Sequence, residues 1–197
     1  MKKMTAKDFI LISLLSALYI VIYMIGMTVA TLFGPIGHSF TTGLAGLFTG
    51  PVIYFISRKV GKMWQFTILS AVLMAVTALM GGGYLPWLLT TMTGAIIADF
   101  LASRSNKPKI ATLALASGIM HIGQSLGAVL PAVLFLEKFR SDWIARGQSA
   151  EYMDTYIQYI TGISGFLALV LTFVLSAAGV YLGHLFLNKH FNQEAKK

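Results

Sequence analysis

A stripe of polar side chains marks one apolar segment of the chain. Burying an imidazole and an amide in hydrocarbon is costly unless they meet hydrogen-bond partners or a cavity. Two interpretations stay open, because such side chains either join helices by hydrogen bonds or contact a bound ligand. If the segment 110–136 is a helix, positions i, i+4, i+7 and i+8 share one face; they are Ser117, His121, Gln124 and Ser125.

Aromatic and polar residues also gather at one set of predicted helix ends. Such residues suit a pocket that combines aromatic walls with a few hydrogen-bonding groups. For Trp143 and Tyr156 the alternative is an aromatic belt at the membrane interface, and for His38 it is an ordinary polar residue at a helix start. The candidate ligand-binding residues are His38, Tyr84, Trp87, His121, Gln124, Trp143 and Tyr156.

The motifs of common catalytic sites are missing from the sequence. It has no phosphate-binding loop of the Walker type and no HExxH motif. His121 with Ser117 or Ser125 would lack an orienting acid, which makes a poor catalytic triad. We therefore expect a protein that is not an enzyme.

The four histidines lie at different depths of the predicted helices, so we expect neither a metal site nor a resident cofactor. A histidine can hold haem iron as an axial ligand. His121 or His38 could do so here, and haem would then be a transported ligand.

Composition defines the elements that must position these residues. Of 197 residues, 56% are hydrophobic and 11% are charged, with a mean hydropathy of +0.75. Soluble domains carry about 25% charged residues, so this chain cannot cover a water-facing surface and is expected in a bilayer. It contains no cysteine, which leaves neither a disulfide nor a thiol nucleophile.

Charged residues divide the chain into long uncharged runs. The run between Asp8 and Arg58 exceeds the roughly 20 apolar residues that one crossing needs, so it must turn back, and Gly34-Pro35 with Gly37 supplies the turn. We predict an all-α membrane protein with one integral domain, 1–197. Its six transmembrane helices lie at about 9–33, 38–57, 64–81, 85–103, 110–136 and 157–188.

Basic residues predict the orientation. Twelve of the fifteen Lys and Arg residues lie in four segments on one side of the predicted helices, which places both termini in the cytoplasm. The net charge of +8 is thus a topological feature, and we expect the lipid bilayer rather than nucleic acid as a partner. The twelve are Lys2, Lys3, Lys7, Arg58, Lys59, Lys62, Arg104, Lys107, Lys109, Lys189, Lys196 and Lys197.

One acid lies near a basic loop. Asp99 precedes Arg104 by five residues, and we expect it to pair with the basic residues of that loop at the membrane interface.

Two stretches carry a resemblance to a known family. The opening AKDFILISLLSALYIVIY at 6–23 has a basic residue before an Ala/Leu-rich helix, and GAIIADFLASRSNKPK at 94–109 places an acid before a basic loop. With the predicted length and topology, the chain resembles the substrate-binding S component of energy-coupling factor (ECF) transporters. It looks most similar to the Trep_Strep branch.

The resemblance implies high-affinity capture of a micronutrient, either a vitamin-like compound or haem, in a pocket that faces outward. It implies docking on a transmembrane T component that two cytoplasmic ATPases drive, in a bacterial plasma membrane. In the family the first helix docks through an Ala-xxx-Ala motif, which Ser13 and Ala17 match in size. A stand-alone secondary transporter or channel is the alternative.

Overall fold

The computed structural model describes residues 3–104 and 108–194, and every regular element in those ranges is an α-helix. Four of the basic residues used for the orientation, Lys2, Lys107, Lys196 and Lys197, lie outside the described residues. The described ranges contain nine helices: α1 (Ala6–Thr31), α2 (Gly34–Ser39), α3 (Thr41–Lys59), α4 (Gln65–Leu79), α5 (Leu85–Ala102), α6 (Ile110–Leu134), α7 (Leu136–Ala145), α8 (Ala150–Ile160) and α9 (Gly162–Glu194).

Four helices in the described part of the chain are long and apolar enough to cross a membrane: α1, α5, α6 and the Gly162–Lys189 part of α9. Helix α4 is apolar but has only 15 residues. Helix α3 has 19 residues and is less apolar because glycine and threonine occupy much of its buried surface. The structure thus shows an all-helical protein with four candidate spans.

The segments between the long helices are more ordered than the sequence predicts. The predicted turn at Gly34-Pro35 and Gly37 lies in helix α2, whose first turn contains Pro35, and the predicted helix 38–57 is divided between α2 and α3. The segment 137–156, which lies between two predicted helices, folds as most of helices α7 and α8. The predicted helix 157–188 is interrupted, because Thr161 has extended backbone and Gly162 has a φ of +56°.

Small residues allow the central helices to pack closely. On α3, Gly43, Gly46 and Gly50 face α9, where they meet Thr172, Ser176 and Gly179. A Cβ atom added at Gly50 would lie 2.0 Å from the backbone carbon of Gly179. Helices in lipid associate through such close backbone contact, since burial of apolar surface gives little driving force there.

The basic segments meet at one end of the bundle, called the basic end below. There Lys62 lies 2.5 Å from Asp8 of α1, and Phe191 of α9 packs against Phe55 of α3. Both described chain ends therefore lie at this end.

The predicted pairing of Asp99 with the basic loop is wrong. Asp99 is fully buried and accepts hydrogen bonds from the backbone N–H groups of Phe66 and Thr67 and from the Thr67 hydroxyl. Its carboxylate thereby satisfies N–H groups at the start of α4 that have no partner within the helix. Arg104 instead lies over the Phe100 ring.

Candidate ligand-binding site

A cavity of about 230 Å³ opens at the end of the bundle opposite the basic end. Its walls come from α1 to α8, including the segment between α4 and α5. Six of the seven predicted ligand-binding residues line it: His38, Tyr84, Trp87, Gln124, Trp143 and Tyr156.

His121, the seventh, lies within the bundle and does not line the cavity. Its side chain is fully buried, and Nδ1 lies 2.8 Å from the Ser117 carbonyl oxygen, to which it must donate. Nε2 is then the acceptor for the Tyr19 hydroxyl, 3.1 Å away. Both ring nitrogens therefore connect α6 internally and to α1, as in the interpretation of the stripe as helix-joining groups.

Gln124, one turn further along α6, is in a different situation. Its side chain is 2% exposed and lies near the Tyr19 hydroxyl, but neither Nε2 nor Oε1 forms a hydrogen bond of normal geometry with the described residues. The neighbouring Ser125 hydroxyl also has no hydrogen-bond partner among the described residues. Buried polar groups without partners cost free energy, and in native proteins each calls for an explanation. Because both residues line the cavity, they are available to a ligand.

Three other polar groups of the wall already have hydrogen-bond partners. The Thr41 hydroxyl donates to the Gly37 carbonyl over 3.2 Å, and the Ser39 hydroxyl donates to the Ile36 carbonyl over 2.7 Å. The Tyr84 hydroxyl donates to the carbonyl of Gly127. These bonds fix the shape of the wall, whereas Gln124 and Ser125 keep unused hydrogen-bonding capacity.

Aromatic rings form the remaining walls. The rings of Tyr84 and Trp143 meet edge to face with their centroids 5.8 Å apart. Trp87 lies beside them, where its backbone packs against Gly127 of α6. The guanidinium carbon of Arg146 lies 5.6 Å from the centroid of the Trp143 ring and 5.8 Å from that of Tyr84. This geometry is that of a cation–π contact behind the wall.

Helix α8 is held against α2 by three rings. The Tyr152 hydroxyl and His38 Nδ1 are hydrogen-bonded at 2.8 Å, and the His38 ring stacks on Tyr156 with centroids 4.5 Å apart. Burial lowers the pKa of His38 below its ordinary value of 6.5, and burial raises the pKa of Tyr156. The histidine is therefore neutral at pH 7.

An ion pair joins α7 to α8. Arg140 Nε and Nη2 donate to the two carboxylate oxygens of Asp154 at 2.5 and 2.9 Å. The hydrogen bond from Arg140 is the main reason why the pKa of Asp154 lies below its ordinary value. The aromatic residues predicted either as an interfacial belt or as a pocket wall thus lie on two helices that cover the cavity.

The cavity wall is electrically neutral. None of its described lining residues is Asp, Glu, Lys or Arg. In the described ranges no group of three or more His, Cys, Asp or Glu residues is placed to hold a metal ion.

The predicted docking residues lie on α1, away from the cavity. Ala17 is exposed and Ser13 is partly buried. Leu14, Leu18 and Val21 are exposed beside them, so this face of α1 is apolar and not covered by other described helices.

Helices α1, α3 and α4 also line the cavity, although none of the predicted ligand-binding residues lies on them. Tyr23 of α1 lines the cavity and stacks on Tyr19, with ring centroids 5.8 Å apart. Thr42 of α3 also contributes. The i, i+4 pair of tyrosines in a Leu/Ile-rich helix was an available indication, because tyrosine hydroxyls seek partners when buried.

Comparison with known proteins identifies the family of the chain. A family model described as hypothetical bacterial integral membrane protein (Trep_Strep) matches residues 6–193. No curated protein and no solved structure matches the chain. The match and the apolar helices identify a multi-pass bacterial membrane protein.

Proposed function

Since the chain belongs to the Trep_Strep family of bacterial integral membrane proteins, we propose that it captures a small molecule for import. In this proposal it is the S component of an ECF-type importer for a micronutrient, and it delivers its ligand by docking on a T component with two cytoplasmic ATPases. The proposal assigns no catalytic step to this chain.

The observation that carries the proposal is the cavity with Gln124 in its wall. A buried amide with two unpartnered atoms is costly in an empty site and favourable in an occupied one. The surrounding aromatic rings, with no Asp, Glu, Lys or Arg among the described lining residues, are typical of sites for small organic ligands.

Topology supports capture from outside the cell. The positive-inside rule places the basic end in the cytoplasm, so the cavity faces outward. We propose that α3 and α4 complete six crossings. At a 1.5 Å rise per residue they span about 28 and 22 Å, and packing inside the bundle lets α3 be less apolar than a helix surrounded by lipid.

Partner chains are part of the proposal because the sequence has no nucleotide-binding motif of its own. The exposed face of α1 around Ser13 and Ala17 is the proposed docking surface. Small residues there would let a helix of the T component approach closely.

Affinity purification of the full chain from native membranes tests the assignment. We expect a T component and two ATPases in the eluate, with a small molecule that mass spectrometry identifies. Recovery of the folded chain at full expression without any of these subunits would contradict the assignment.

Flux through proteoliposomes tests the alternative of a stand-alone transporter or channel. We expect purified chain alone to bind the co-purified molecule without sustained transport. Uptake by this chain alone, driven by an ion gradient or by the molecule's own gradient, would replace the ECF assignment by the alternative.

Haem is the larger of the two ligand types that the family resemblance suggests. Of the four histidines, His38 alone belongs to the described cavity lining, and its Nδ1 is bonded to Tyr152. A Soret band that shifts in His38→Ala would support haem, and no absorbance change on adding haem would exclude it. A shift in His121→Ala would contradict the internal role of His121.

A further inference from the structure

We propose that the cavity takes a neutral, planar heterocycle of one or two rings whose edge carries a hydrogen-bond donor beside an acceptor. Lactams and amino-pyrimidines have such an edge. The inference rests on the proposed function, since it names the ligand class of the same site.

The neutral wall excludes ions as favoured ligands. A charged molecule that enters would lose hydration without meeting an opposite charge, which is costly. His38 adds no charge at pH 7, because burial lowers its pKa. The nearby cation, Arg146, is directed at the rings of Tyr84 and Trp143.

Gln124 determines which hydrogen-bonding groups the edge of the ligand carries. A carboxamide presents N–H donors and a carbonyl acceptor side by side, and here Nε2 and Oε1 are both buried without a partner. The complementary ligand edge carries an acceptor beside a donor, so that two hydrogen bonds form at once. Glutamine recognises adenine in DNA by the same two-bond geometry. The Ser125 hydroxyl, also without a partner, can supply a third contact.

The walls of the cavity determine the shape and size of the ligand. Flat rings favour stacking or edge-to-face contact with the aromatic side chains Tyr84, Trp87 and Trp143. A volume of about 230 Å³ exceeds the ~150 Å³ cavity that accommodates benzene but lies below the ~300–1,000 Å³ of sites for drug-sized ligands. One or two fused rings fit, whereas a four-pyrrole macrocycle does not fit inside.

Equilibrium binding of four probes to the full chain in nanodiscs tests the class, with tryptophan fluorescence as the readout because Trp87 and Trp143 line the cavity. The probes are lumazine and 9-methyladenine, each paired with an analogue that is methylated at all of its N–H donors: 1,3-dimethyllumazine and N6,N6,9-trimethyladenine. We expect at least one parent compound to bind, and its methylated analogue to bind at least tenfold more weakly.

Gln124→Leu keeps the approximate volume and removes both hydrogen-bonding atoms. We expect this variant to bind the parent compound only as weakly as the wild type binds the methylated analogue. Gln158→Leu, the same change at an exposed position of α8, should bind like the wild type. The comparison of parent with analogue in the wild type needs no variant, so it remains decisive if Gln124→Leu fails to fold.

Equal binding of parent and analogue, or tighter binding of benzoate or benzamidine, would overturn the ligand class while leaving capture of a small molecule intact. A wild-type protein that binds no probe and carries no small molecule through purification would contradict both the class and the proposed function.

Discussion

Asp99 and Gln124 are both buried polar residues of membrane-spanning helices, but their surroundings differ. The Asp99 carboxylate accepts three hydrogen bonds at the start of α4, whereas the Gln124 amide accepts and donates none among the described residues. A polar group that is fully bonded within the protein stabilises the fold. One that is not bonded remains available to a ligand.

Asp99→Asn tests the structural role. An amide group replaces one acceptor oxygen by a donor, so an N–H or hydroxyl at the start of α4 loses its partner. We expect a loss of about 1–3 kcal/mol in the free energy of unfolding, measured by thermal unfolding in detergent. Asp142→Asn is the control, because Asp142 forms an exposed pair with Lys138 on α7. Equal effects at both positions would refute the capping role of Asp99.

His38 makes stability depend on pH. Its folded-state pKa lies below 6.5, so below about pH 6.5 the unfolded chain binds more protons and stability falls as the pH falls. We expect the unfolding temperature of the wild type to decrease between pH 6.5 and 5. His38→Gln should show a shallower decrease in the same scan, because it keeps a polar side chain that does not titrate. An unchanged slope would show that other groups cause the dependence.

The polar stripe shows how far sequence reasoning reaches at this scale. Periodicity places His121 and Gln124 on one face of a helix, and the structure agrees. Periodicity does not show which of the two side chains meets a partner, because the partner is Tyr19 of α1, about a hundred residues away in the chain. The cavity wall was therefore predicted in part, while the internal position of His121 was one of two interpretations that the sequence left open.

At the scale of helices, the long elements follow from hydropathy and the short ones do not. The predicted segments 85–103 and 110–136 agree closely with α5 and α6. The sequence did not predict α2, α7 and α8 as separate helices, because short amphipathic helices over a cavity depend on tertiary contacts such as that between His38 and Tyr152. The break between α8 and α9 at Gly162 is indicated in the sequence only by that single glycine.

The contact between α3 and α9 depends on the absence of side chains at its centre. Gly50→Ala would place a methyl group against the backbone of Gly179, which cannot move aside without separating the helices. We expect a loss of about 1–3 kcal/mol in thermal unfolding. Ala75→Val adds methyl groups at an exposed position of α4 and should have little effect. A stable Gly50→Ala protein would mean that the two helices pack less closely than described.

At the scale of the whole molecule, the basic segments of the basic end and the cavity lie at opposite ends. The positions of the basic residues in the sequence predicted this arrangement, because each basic segment joins helix ends that the fold must bring together. The proposed number of crossings is harder to derive from composition, because α3 lies inside the bundle, where glycine and threonine take the place of apolar residues. Hydropathy measures contact with lipid, so it underrates a helix that other helices surround.

The two surfaces proposed for function are separate, which allows capture and docking to be tested independently. Ala17→Trp places a bulky ring on the exposed face of α1, distant from the cavity lining. We expect it to abolish co-purification of the T component and ATPases, because close helix approach needs a small residue there. Binding of the co-purified small molecule should stay within twofold of the wild type. Val174→Trp, an equally bulky change at an exposed position of α9, should leave both properties unchanged. If Val174→Trp rather than Ala17→Trp prevented assembly, the docking surface would lie on α9, and the exposed face of α1 would simply contact lipid.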